Sequence, residues 1–87
     1  MRTKELFLKF SYNSLVTLCE EKGWKIPSVQ DLRDADLSDS IHDWIWVSDE
    51  PQFDNEDGTR KVLYSIKKEE TMQVNMSFME NCIVLKG

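Results

Sequence analysis

His42 and Asp43 stand side by side and bring together an imidazole and a carboxylate, the smallest set a general base needs. No companion nucleophile or second base accompanies His42, the only histidine, so the pair is expected to hold a surface or capping place rather than to move protons. Asp54-Asn55-Glu56-Asp57 clusters the oxygen donors that a hard cation takes. It lacks the alternating spacing and distal glutamate of an EF-hand loop and reads as a hydrophilic hairpin loop. Cys19 and Cys82 lie far apart in sequence, and with one histidine they give no zinc-ligand spacing. Glycine-rich phosphate loops are absent. The expectation is a protein without catalytic residues, metal or cofactor.

Charge is the stronger signal. Between Asp31 and Asp57 ten acids face one base, Arg33, a sum of −9, whereas the rest of the chain, with ten bases and six acids, sums to +4. Such asymmetry speaks of partners or of solubility, not of fold. Asp34, Asp36, Asp39, Asp43, Asp49 and Glu50 are therefore candidate partner-binding residues. Trp44 and Trp46 share one face of a strand-like run and join them, since two indoles on an open face would make a platform for a sugar ring or a partner side chain. The same indoles equally suit a core, which a chain of 87 residues needs to build from its large side chains.

These residues must be positioned by few elements. At this length one domain, residues 1–87, buries about 60–65% of its unfolded surface. Leu6, Leu8 and Phe10 suit a short first strand. Ser11 or Asn13 caps a helix running to about Lys22, with Gly23 as the residue after its end. Pro27 keeps Ile26 extended, and Ser28 with Asp31 caps a second, short helix ending near Ala35. Trp44–Val47 alternates Trp44 and Trp46 with Ile45 and Val47 and is expected to be covered on both sides. Val62, Tyr64 and Ile66 alternate with Lys61, Ser65 and Lys67. Met72, Val74, Met76 and Phe78 alternate with polar residues and predict one buried face, and Cys82–Leu85 is the last strand. The pattern predicts an α+β domain with two helices packed on an antiparallel sheet of about five strands. No run approaches the ~18 apolar residues of a membrane span, and the charged start does not resemble a signal peptide. A cytoplasmic protein with reduced cysteines is expected.

The helix carrying Cys19, followed by Gly23-Trp24-Lys25-Ile26-Pro27-Ser28 and the pair Asp31-Leu32, resembles the Gly-Trp-Arg-Leu-Pro-Thr…Glu-Leu signature of bacterial Lcl C-terminal-type domains, which are C-type-lectin-like. Trp44-Ile45-Trp46-Val47-Ser48-Asp49-Glu50 is similar to that family's Trp-(Ser/Thr)-Ser-(Ser/Thr)-Glu run, and Asn81–Lys86 to its closing Val-Arg-Cys-Val strand. The resemblance spans about residues 6–86. It implies a small C-type-lectin-like fold in which Cys19 and Cys82 form a structural pair of spatial neighbours, whatever their redox state. A bond between them would contribute about 4 kcal/mol in the chain-entropy model. Calcium-dependent sugar binding in such folds uses a Glu-Pro-Asn or Gln-Pro-Asp triplet and a Trp-Asn-Asp triplet. Glu50-Pro51-Gln52 departs from the first, and the second is missing.

Together these readings predict a small non-catalytic domain that recognises another protein through its acidic surface. The alternative is an acidic, nucleic-acid-mimicking inhibitor of a bacterial nucleic-acid enzyme, of phage or mobile-element type, whose carboxylates stand where phosphates would. Direct nucleic-acid binding is disfavoured by the acidic centre, although Arg60, Lys61, Lys67 and Lys68 make a small basic patch.

Overall fold

The computed structural model describes residues 2–37, 40–51 and 58–86. Within them lie β1 (Arg2–Phe10), α1 (Tyr12–Lys22), α2 (Val29–Asp34), β2 (Trp44–Val47), β3 (Arg60–Ser65), β4 (Glu70–Asn75) and β5 (Glu80–Lys86). The turn-rich stretch Asp54–Asp57 and the acid Asp39 fall outside the described residues. The strands form one sheet in the order β1-β5-β2-β3-β4. All neighbours pair antiparallel except β2 with β5, which is parallel. The architecture is a small α+β domain of two helices and five strands, as the sequence predicts, but the expected antiparallel sheet is only mostly so, since β2 runs parallel to β5.

Local chemistry sets both helices. Ser11 accepts from the Ser14 amide, and Gly23, at φ 71°, takes the left-handed position that closes α1. The Trp24 amide then returns to the Cys19 carbonyl at 2.9 Å, which satisfies an end carbonyl of the helix. Ser28 and Asp31 form a reciprocal capping box on α2, and the helix ends at Ala35. Between the helices the chain is stitched to the sheet. Lys25 exchanges both backbone hydrogen bonds with Leu85, at 2.9 and 2.8 Å, and the Pro27 carbonyl accepts from Ser48. The run Gly23–Ser28 thus ties the link between the two helices to the ends of β5 and β2.

The core has two halves because β2 is covered on both sides, as its unbroken apolar sequence predicts. Trp46, Leu63, Cys82 and Val84 pack with Leu15 and Cys19 of α1. Ile45, Val47, Val62, Tyr64 and Ile83 pack with Leu32 of α2. The helices therefore lie on opposite faces of the sheet.

Three strand expectations need correction. β3 has no wet face over its last four residues: Leu63 and Ser65 are buried along with Val62 and Tyr64, because the α1 core takes Leu63 on one side and the α2 core takes Val62 and Tyr64 on the other. In β1 the pairing jumps from Leu6↔Cys82 to Phe10↔Glu80, a bulge that turns Phe7 and Leu8 outward, 83% and 71% exposed. The run Met72–Phe78 is not one strand with a buried face. β4 stops at Asn75, whose side-chain oxygen accepts from the Ser77 amide and hydroxyl at 2.9 and 2.7 Å. Val74 packs on the core, while Met72 and Phe78 stay exposed.

Candidate functional site

The acidic residues gather around α2. Asp31 belongs to its capping box, Asp34 accepts from the Gln30 side-chain Nε2 at 2.9 Å, and exposed Asp36 follows its end. Asp49 reaches α2 from the end of β2, accepting from the Val29 amide at 2.9 Å. A carboxylate there answers the unpaired N–H groups and the positive end of the helix. Arg33 is the one base on the helix.

Of the residues that the sequence proposes for partner binding, Asp34 and Asp36 are exposed at the C-terminal end of α2 and border different depressions. Asp34 lines one with Asp31, Ala35, Thr3 and Leu85; Asp36 lines the other with Tyr64, Ile66 and Glu69. Asp49 and Glu50 are exposed and adjacent but act in different directions: Asp49 caps α2, whereas the charge of Glu50, after burial, helps to hold the Tyr12 phenol above its ordinary pKa.

Asp43 is occupied inside the fold. Its carboxylate accepts from the Ser65 hydroxyl at 2.6 Å and the Lys67 amide at 3.2 Å. The Ser65 hydroxyl, which also takes the Lys68 amide, and the Lys67 amide keep the Asp43 carboxyl below the ordinary aspartate pKa. It holds the β3–β4 turn. His42 is also built in: it is buried, and its Nε2 meets the Leu6 carbonyl at 2.9 Å, so the expectation of a surface position gives way to an inward tie to β1.

The indole platform does not form. Trp46 has no exposed surface, its N–H donates to the Phe10 carbonyl at 2.8 Å, and Tyr12 meets it edge-on with ring centroids 5.6 Å apart. Trp44 is half-buried against the same cluster. These two residues build the core because α1 covers the face they share.

Cys19 and Cys82 are free thiols in the same core cluster. Burial raises the pKa of both, that of Cys82 to about 12, with Cys19 among the groups adding to the effect. Such thiols are poor nucleophiles at neutral pH. Among the described residues no group of three or more His, Cys, Asp or Glu is arranged to hold a metal.

A feature the sequence does not reveal lies between the end of α2 and the turn after β3. There Leu32, Leu37, Tyr64 and Ile66 line a cleft of about 260 Å3 together with Arg33, Asp36 and Glu69. The Arg33 guanidinium sits over the Tyr64 ring, 6.0 Å from its centroid. Hydrogen bonding to Tyr64 and the charge of Glu69 favour its protonated form. Asp36 and Glu69 both have left-handed backbone, φ 49° and 54°. These residues come from three elements, and no sequence spacing joins them. In comparisons with known proteins, no family model, no curated protein and no solved structure matches the chain.

Proposed function

We propose that this chain is a small non-catalytic domain on a C-type-lectin-like scaffold that recognises another protein through the acidic surface around α2. The observation that carries the reading is the placement of Asp34 and Asp36 at the exposed end of a helix that offers a single base, Arg33. The two cysteines in one core cluster, as the resemblance implies, support the scaffold. A cytoplasmic location belongs to the same reading. No helix among the described residues is long and apolar enough to cross a membrane.

The nucleic-acid-mimicking alternative needs a row of carboxylates. Asp43, bound into the β3–β4 turn, leaves that row shorter, so protein recognition is preferred. The test is capture of partners from bacterial lysate by the wild type and by a D34K/D36K variant. A protein held by the wild type and lost by the variant supports the acidic surface. Equal capture by both overturns it, and competition by DNA would turn the reading to mimicry.

A further inference from the structure

We propose that the cleft between α2 and the β3–β4 turn binds a small zwitterion with an aliphatic side chain, a free α-amino acid of the leucine type. This goes beyond protein recognition and stands whether or not a protein binds α2. The size of the cleft comes first. About 260 Å3 lies just below the volumes that take drug-sized ligands and suits a smaller molecule.

The lining then selects the chemistry. Leu37 and Ile66, partly buried against the core that holds Leu32, offer apolar surface to an aliphatic side chain. Arg33, laid over the Tyr64 ring, is a placed cation of the type that takes a carboxylate through paired donors. Asp36 and Glu69 supply two negative charges from separate elements bordering the same space. An anion alone would be repelled by both carboxylates, and a cation alone would meet Arg33. A molecule carrying both charges satisfies each wall, with its carboxylate on Arg33 and its ammonium toward Asp36 and Glu69.

The test is an amide-resolved NMR titration of the whole chain with L-leucine. Saturable shifts should centre on Arg33, Leu37, Ile66 and Glu69, with an affinity of about a millimolar. Two analogues divide the recognition: 4-methylpentanoate lacks the ammonium, and isopentylamine lacks the carboxylate. Each should bind at least about tenfold more weakly, as should L-leucine to R33Q and to E69Q, because each change leaves one charge unanswered. Unchanged shifts elsewhere in the variants show that they fold. The proposal is overturned if L-leucine gives no saturation up to about 20 mM. It is equally overturned if the analogues match L-leucine, or if R33Q binds as the wild type does.

Discussion

The Asp49 carboxylate accepts the Val29 amide at 2.9 Å, so the end of β2 closes the start of α2 across twenty residues of sequence. One residue therefore belongs both to the acidic surface and to the framework of the helix that displays it. The two roles separate by substitution. D49N keeps an oxygen acceptor and removes the charge, whereas D49A removes both. D49A should cost about 1 kcal/mol in urea unfolding, the usual worth of such a cap, and D49N a few tenths. Equal losses would mean that charge, not capping, is what α2 needs from this position.

Trp46 provides a second measurable quantity. W46F keeps an aromatic ring in the core but shrinks it and removes the donor to the Phe10 carbonyl. The smaller ring and the buried acceptor together should cost about 2–3 kcal/mol. In a domain of this size that lowers Tm by roughly 10 °C or more. A change below about 0.5 kcal/mol would contradict full burial of the indole.

The Asp43 carboxylate makes stability depend on acid. The Ser65 hydroxyl and the Lys67 amide favour its ionised form, so its pKa in the folded protein lies below that of the unfolded chain. Its contribution is complete above the unfolded value, about 4, and is lost as pH falls through the lower folded value. Urea unfolding at a series of pH values should show this loss in the wild type and a flatter acid limb in D43N. An NMR titration of S65A should find the Asp43 pKa raised toward its ordinary range. An unmoved value would mean that the hydroxyl is not the main cause.

The cysteines give a prediction about reactivity. With Cys82 pushed up to about 12 and Cys19 raised by burial, native thiolate is scarce at pH 8. Iodoacetamide should label both thiols at least about a hundredfold more slowly in native protein than in denaturant. Comparable rates would show that this half of the core opens readily.

These residues also show what the sequence could and could not carry. Ser11, Gly23, Ser28 and Asp31 act on amides and carbonyls within a few residues, so both helices were legible from spacing alone. The two-sided burial of β2 was legible because Ile45 and Val47 are as apolar as Trp44 and Trp46. The occupation of Asp43 and Asp49 was not, since their hydrogen-bond partners lie twenty or more residues away. The choice between platform and core for Trp46 turns on which face α1 covers, which no local pattern states. The cleft was equally hidden: Arg33, Tyr64 and Glu69 meet only when a helix and a turn pack on the sheet.

The last prediction concerns the backbone beneath that cleft. Asp36 and Glu69 adopt φ 49° and 54°, where a Cβ crowds the backbone and where glycine fits without that penalty. Asp36 closes α2 in the place glycine usually fills, and Glu69 ends the turn before β4. Replacing either by glycine relieves the steric cost but gives the unfolded chain more freedom, so the net gain should be roughly 0.5 kcal/mol for each. Both carboxylates border the same cleft and face Arg33, so the double variant should depart from the sum, and the size of the departure measures their coupling. Thermal unfolding of D36G, E69G and the double variant measures this directly. Because glycine also removes the carboxylate, the same variants should lose L-leucine binding while gaining stability. Two side chains held at a cost to the fold are then tied to the ligand, whereas a variant that gains stability and keeps its affinity would show that its carboxylate has no part in the cleft.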